Sequence, residues 1–408
     1  MNNKQNAQPN FKIPIYKKLL FALCTTILVF TAIELTVRVF IGAPHPPLLA
    51  KIPNGTGDWI ETSNGTVQLP YQNAFPIPPF PLKKQQKPRV FFIGGSSLHG
   101  GAGKIFLEDE APAIVGEALQ IEAINLAAPG LDSNHLVELL REALTLSPDA
   151  VVIYTGHNDI GNTVFMEKYG NDIIIITEAW LRKFKTFEIL QTLIRTPSPL
   201  PKPKPKLQNL LTSQKREMIR DNFKKNLLWM IRMAKKAEVK LVLVTPTSNV
   251  RSPPLEWTCP EPMIQLGIGK NPRGHRIKLP SMLKIDGQEW ANLDTSCRDV
   301  VWAKAESEHN AEILNDLRDN APLAVRADSK TIEVVREVAA QNNIPLADAA
   351  LEFKKTEDGI EPLYLFVDPV HFSKRGHQAL ASVITPVLAE ALDLENPDLA
   401  MPSPPPKR

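Results

Sequence analysis

The segment FVDPVHFSKRGH, residues 366–377, sets Asp368 and His371 three positions apart. At that spacing a carboxylate can orient an imidazole while the far edge of the ring faces a serine hydroxyl. Serines stand in FIGGSSLHGG (92–101), a glycine-rich turn after an apolar run, where hydroxyls and backbone N–H groups gather. A phosphate-binding loop is the competing reading of such a turn, but no glycine-lysine-serine/threonine follows, so it is not a Walker A loop. Two further apolar runs lead into chemistry-bearing residues: NLAAPGLDS (125–133) delivers Gly130 and YTGHNDIGN (154–162) delivers Asn158. His377 follows His371 by six residues, a poor spacing for two ligands on one helical face, so no metal is expected there. Plainer roles exist for several of these residues. Gly94, Gly95 and Gly130 suit turns that need positive φ, Asn158 suits a left-handed turn position, and Asp159 suits a helix cap. His99 and His157 have no evident task and are expected at a mouth or on the surface.

What must hold these residues together is legible from the apolar runs. RVFFIG (89–94), IEAINLA (121–127), AVVIYTG (150–156), KLVLVTP (240–246) and IPLADAA (344–350) are apolar nearly throughout, as strands covered on both faces should be. Helical stretches at 107–119, 132–146, 215–238, 330–342 and 374–392 alternate with them. That alternation predicts an α/β fold: a doubly wound, three-layer α/β/α domain around a mostly five-stranded parallel sheet. In such sheets, ligands bind beyond the carboxyl ends of the strands, where Ser96, Ser97, Gly130 and Asn158 fall.

Four sequence blocks now stand in order: GGSS (94–97), APG (128–130), GHND (156–159) and DPVH (368–371). Together they resemble the SGNH/GDSL hydrolase family, whose blocks carry a serine, a glycine, an asparagine and a histidine. The resemblance covers about residues 88 to 393, apart from most of two insertions. It implies that Ser96 is the nucleophile, His371 its general base and Asp368 the group that orients His371. It also implies an oxyanion hole made of the Ser96 and Gly130 backbone N–H groups and the Asn158 amide, and no metal or organic cofactor. The family usually has aspartate immediately before the serine; here that position is Gly95, in a glycine-glycine-serine version of the block. The doubled serine leaves Ser97 as the alternative nucleophile, with block alignment favouring Ser96.

The remaining 100 or so residues concern location. Leu19 to Ile41 is 23 residues of mostly apolar character, enough to cross a hydrocarbon core of about 30 Å. Glu34 and Arg38 interrupt it four apart and can pair on a helix. Residues 1–18 carry Lys4, Lys12, Lys17 and Lys18 and no acidic residue, which places the N-terminus in the cytoplasm and the rest outside. A cleaved signal peptide shares the charged start, but no small-x-small cleavage site follows the apolar run. The anchor also looks like that of membrane-tethered bacterial members of the family.

The expected organisation is therefore a cytoplasmic start (1–18), an anchor (19–41), a proline-rich spacer (42–87), a domain at 88–395 with insertions 161–214 and 247–329, and a disordered tail (396–408). The run PSPLPKPKPK (197–206) reads as an exposed loop within the first insertion. The three cysteines cannot make a four-ligand zinc site. In an exported domain Cys259 and Cys297 could staple the second insertion as a disulfide; two unrelated thiols is the alternative, and Cys24 lies in the apolar span. Forty-seven basic against 44 acidic residues, a net charge of +3, gives no electrostatic case for nucleic acid. The expected partners are the membrane and an acyl-ester substrate, either a small molecule or an O-acetylated envelope polysaccharide or lipid. Hydrolysis, transfer to a sugar hydroxyl, and a non-catalytic glycan- or partner-binding protein that keeps the fold are the three functional readings.

Overall fold

The computed structural model describes residues 14–41, 60–61, 66–68, 80–100, 105, 107–169, 184, 186, 190, 211–254, 259–268, 280–283, 293–294, 296–321, 326–356 and 359–405. The run 197–206, and most of the first insertion and of the spacer, lie outside these residues. The chain forms two compact units, Met1–Pro47 with Ile173–Leu200, and Leu48–Asp172 with Pro201–Arg408.

In the first unit, helix α1 (Ile15–Ile41) is long and apolar enough, by length and composition, to cross a membrane. Its threonines are polar residues in an apolar run, and Thr25, Thr26, Thr31 and Thr36 each return their hydroxyl to the carbonyl four residues back. Glu34 is handled in the same way. Arg38 Nε donates to Glu34 Oε1 at 2.7 Å, and Thr186 N and Oγ1 donate to Oε2 at 3.0 and 2.7 Å. A carboxylate in an apolar run is costly unless paired and hydrogen-bonded, and this one is both.

The second unit begins with a small antiparallel sheet of β1 (Ile60–Glu61), β2 (Thr66–Gln68) and β3 (Phe80–Pro81). The spacer expected at 42–87 is therefore partly folded. Phe80 explains the difference: it is buried, with its ring edge-on to Phe91, because an aromatic side chain this size gains more from the core than from water. Arg89 locks the junction. Its buried guanidinium forks onto Glu122 at 2.8 and 3.0 Å and donates to the carbonyls of Pro81, Leu82 and Leu146.

The central sheet contains β4 (Arg89–Gly94), β5 (Glu122–Asn125), β6 (Ala150–Tyr154), β7 (Lys240–Val244) and β8 (Leu346–Ala347), all parallel, in the order β5-β4-β6-β7-β8. Helices α2 (Ala111–Leu119), α3 (Ser133–Ala143), α4 (Asn158–Tyr169) and α5 (Ser213–Lys236) connect the first four strands. The second insertion contributes α6 (Pro260–Gln265), α7 (Arg298–Ser307) and α8 (Ala311–Asp319). α9 (Ser329–Asn342), α10 (Ala349–Glu352) and α11 (Lys374–Ala391) complete the unit.

Because side chains alternate along a strand, each strand feeds two cores. Phe91, Ile93, Val151, Ile153, Leu241 and Leu243 pack with residues of α3, α5 and α9 on one face. Val90, Phe92, Val152, Tyr154, Val242 and Val244 pack with residues of α2 and α11 on the other. The expected three layers and five parallel strands are present. The last strand is shorter than the sequence suggests, because Pro345 has no N–H to give the ladder and Asp348 caps α10 through Leu351 N.

The second insertion builds a core of its own from Val250, Met263, Val300, Trp302 and Leu314, among others. Cys259 and Cys297 are joined there as a disulfide, with Cα atoms 6.2 Å apart. The tail expected to be disordered instead lies along the domain as far as it is described. Met401 packs against the second core, Tyr364 Oη donates to Pro402 O at 3.3 Å, and Arg375 Nη1 donates to Ser403 O at 2.9 Å. Its prolines prevent helix and sheet, but not packing.

Candidate active site

β4 ends at Gly94, and the chain turns at once, with Leu98 N donating to Gly95 O at 3.1 Å. The turn leaves Ser96 partly exposed and buries Ser97. His371 Nε2 lies 2.8 Å from Ser96 Oγ, so the ring faces Ser96 of the two serines. On its other side, His371 Nδ1 is 2.6 Å from Asp368 Oδ2. Asp368 Oδ1 accepts from Val370 N at 2.9 Å and His371 N at 2.8 Å, a local turn that fixes carboxylate and ring on one short loop. Burial tends to raise the Asp368 pKa, but the hydrogen bonds from the His371 ring and from these two N–H groups outweigh it and hold it below the ordinary value.

Neighbouring elements brace this loop. Val367 N donates to His371 O at 2.9 Å, and Asn249 N, from the segment after β7, donates to Pro369 O at 3.0 Å. Ser373 caps α11 through Gly376 N.

The other two blocks meet beside the serine turn. Ala128 N donates to Gly94 O at 3.1 Å, and Asn158 Nδ2 donates to Leu131 O at 2.8 Å. That bond uses one of the two amide hydrogens of Asn158 and leaves the other. Gly95 is required here, since a Cβ at this position would stand 2.7 Å from Asn158 Nδ2. The departure from the usual aspartate is thus a matched feature: residue 95 has no side chain where Asn158 lies. Among the described residues the N–H groups of Ser96 and Gly130 donate to no protein acceptor. Gly130 has φ +78 and open space where a Cβ would be.

Three expectations are corrected. His157 and His99 are buried, not at the surface. The His157 ring sits between Tyr154 Oη and Ala327 N, at 3.1 Å from each. Burial, then the nearby His371 and Arg318, push its pKa down to about 3, so it stays neutral. Asp159 reaches across to α3, accepting from Ser133 N at 3.2 Å and Ser133 Oγ at 2.5 Å. Burial and the charge of Asp132 push its pKa up to about 7.

Sequence reading missed Asn162, whose amide reaches the Gly130 carbonyl; its position one helical turn after Asn158 was the available signal. It also missed the second Asp-x-x-His pair, Asp132 and His135. Cys259 and Cys297 are not part of this cluster. Together with Asp299 they lie close enough to suit a metal ion, but with both sulfurs in a disulfide the trio offers no thiolate.

No protein-family model matches the chain, and no curated protein matches it. Among solved structures it is similar to a GDSL-like lipase from Bacteroides thetaiotaomicron, with 13% identity over 77% of this chain and 92% of that one and a TM-score of 0.37. It is similar as well to an α/β hydrolase from the Lake Arreo metagenome, with 14% identity, coverage of 78% and 99%, and a TM-score of 0.38. A variant of an acetyl-xylooligosaccharide esterase from Geobacillus Stearmophilus shows 15% identity, coverage of 76% and 96%, and a TM-score of 0.37. Likeness at this level assigns no role to any residue of this chain.

Proposed function

We propose that the protein is an SGNH/GDSL-type serine esterase, anchored by α1 with its main domain outside the cytoplasm. The observation that carries this reading is the single line of contacts from Asp368 Oδ2 through the His371 ring to Ser96 Oγ, at 2.6 and 2.8 Å. An unassisted serine hydroxyl is a poor nucleophile, and an adjacent base oriented by a carboxylate is what activates it.

Ser96 Oγ attacks the ester carbonyl as His371 Nε2 takes its proton, and Asp368 holds the ring and stabilises the resulting imidazolium. The oxyanion is received by the Ser96 and Gly130 N–H groups and the free Asn158 amide hydrogen. These donors are set before the reaction, which is what makes such a site worth several kcal/mol, about 3–4 per donor. Collapse expels the alcohol, which takes the proton from His371 and leaves the acyl group on Ser96. His371 then draws a proton from water, or from a sugar hydroxyl, to release the acyl group. The acyl acceptor separates hydrolase from transferase.

Two features support an extracytoplasmic domain: the lysine-only start before α1, and the Cys259–Cys297 bridge, since disulfides persist in oxidising compartments. An ester at the envelope, such as an O-acetylated carbohydrate or a lipid ester, suits that location. The test is covalent labelling of the full-length protein in detergent with a fluorophosphonate, followed by peptide mapping. Label on Ser96, lost in His371→Ala, is the expected result. A folded protein that stays unlabelled, or Ser96→Ala with full esterase activity, overturns the reading.

A further inference from the structure

We infer that Asn162 is a positioning residue for the oxyanion-binding turn at Gly130, an inference that rests on the acyl-transfer reading above. The turn has little of its own to hold it. Gly130 sits at φ +78 with nothing within 4 Å of a Cβ position, so no side-chain packing defines this backbone, and glycine carries the largest conformational freedom of any residue. Upstream, the chain is tied where Ala128 N meets Gly94 O; Leu131 N reaches Ala128 O only at 3.4 Å.

Helix α4 supplies what is missing. Asn158 and Asn162 are one turn apart, on the same face. Asn158 Nδ2 takes the Leu131 carbonyl at 2.8 Å and Asn162 Nδ2 takes the Gly130 carbonyl at 2.8 Å, so two consecutive carbonyls of the turn are held by two amides of one helix. With Ala128 fixed on one side and these carbonyls on the other, chain closure sets the direction of the Gly130 N–H. Asn162 is held in turn: its Nδ2 also donates to Asp132 Oδ2 at 2.8 Å, and Asp132 caps α3 through Asn134 N and His135 N. Oxyanion donors act only when they are already aimed at the developing charge, so a residue that fixes a donor peptide acts on kcat without touching substrate.

A second asparagine separates positioning from mere support. Asn226 on α5 donates to Ser133 Oγ at 2.8 Å and Asn134 Oδ1 at 3.0 Å, tying the start of α3 without touching the carbonyl of Gly130 or Leu131. The experiment uses the full-length protein in detergent, with turnover of p-nitrophenyl acetate and thermal melting. Asn162→Ala is expected to lower kcat about 10–100-fold with KM within about twofold, while Asn226→Ala stays within about twofold in both. If Asn162→Ala does not fold, Asn162→Ser, whose hydroxyl is too short to reach both acceptors, carries the same expectation. An Asn162 variant with wild-type kcat, a rise in KM in place of the fall in kcat, or an equal loss in Asn226→Ala overturns the positioning role. A wild-type protein that neither turns over nor labels at Ser96 overturns the acyl-transfer reading instead, and the positioning role with it.

Discussion

The chain contains two Asp-x-x-His pairs of nearly the same local geometry. Asp132 Oδ1 lies 2.7 Å from His135 Nδ1 and accepts from His135 N at 3.2 Å; Asp368 Oδ2 lies 2.6 Å from His371 Nδ1, and Oδ1 accepts from His371 N at 2.8 Å. Both aspartates have lowered pKa values for the same reason: burial works to raise them, and hydrogen bonds from the following residues outweigh it. What differs is the far ring nitrogen. His371 Nε2 meets Ser96 Oγ, 275 residues away in sequence, whereas no such hydroxyl meets His135 among the described residues. In one pair the carboxylate caps a helix, and in the other it orients a ring against a serine hydroxyl, which is what the proposed esterase asks of its base. Spacing makes the pair, and the sheet edge that brings β4 to it makes the site.

The largest test of this contrast replaces each pair in turn. Asp368→Asn keeps the shape of the side chain but disturbs the ring tautomer, and kcat for an aryl ester should fall by about 10³–10⁴. His135→Ala should leave kcat within about twofold, because its ring meets Asp132 Oδ1, whereas Asn162 is held by Oδ2 and Asp132 keeps its bonds from Asn134 N and His135 N. Steady-state kinetics on the two variants side by side decide the matter. Equal losses would mean that the two pairs are not functionally distinct.

A smaller effect is expected at Gly95. Introducing the aspartate that SGNH/GDSL hydrolases usually carry before their serine, Gly95→Asp, puts a Cβ 2.7 Å from Asn158 Nδ2 and 3.2 Å from Leu131 O. The Asn158 amide must move, and on the proposed mechanism that costs one oxyanion donor and should lower kcat about 10²–10³-fold. Fluorophosphonate labelling of Ser96 would slow in parallel while His371 and Asp368 stay in place. An active Gly95→Asp protein would remove Asn158 from the oxyanion site.

These contrasts also mark where the sequence stops being legible. The five strands were readable because a strand covered on both faces is apolar at nearly every position, and Val90 to Ile93 is a case of it. The four blocks were readable because each sits where a strand or helix boundary sends it to the same edge. The bond from Asn162 to Gly130 joins residues 32 apart, and the link from His157 to Ala327 joins residues 170 apart. Polar partners at that range are chosen by the fold, and no local periodicity records them. Composition misled for the same reason at both ends of the main domain: proline-rich stretches forbid regular structure, yet Phe80 and Met401 still found cores to enter.

The smallest predicted effect concerns Asp159, the buried acid beside the first pair. Its Oδ2 has no hydrogen-bond partner among the described residues, and burial together with the charge of Asp132 raises its pKa from 3.8 to about 7. Between those values the folded state holds a proton that the unfolded state has released, so the Asp159 contribution to stability falls as pH rises through the window. At pH 5 the larger part of that loss is still to come, and the advantage of Asp159→Asn over wild type should be small. At pH 8 the wild-type protein carries a buried charge beside that of Asp132, and the variant should be more stable by on the order of 1 kcal/mol or more, the scale of one pKa unit. Thermal melts of both proteins at the two pH values measure the difference. Asp132 runs the other way, since its lowered pKa adds stability above the unfolded value that is lost as pH falls below it. A variant whose advantage does not grow between pH 5 and pH 8 would mean that Asp159 is already ionised in the folded protein at pH 5, with its charge compensated by Ser133 and the N-terminus of α3.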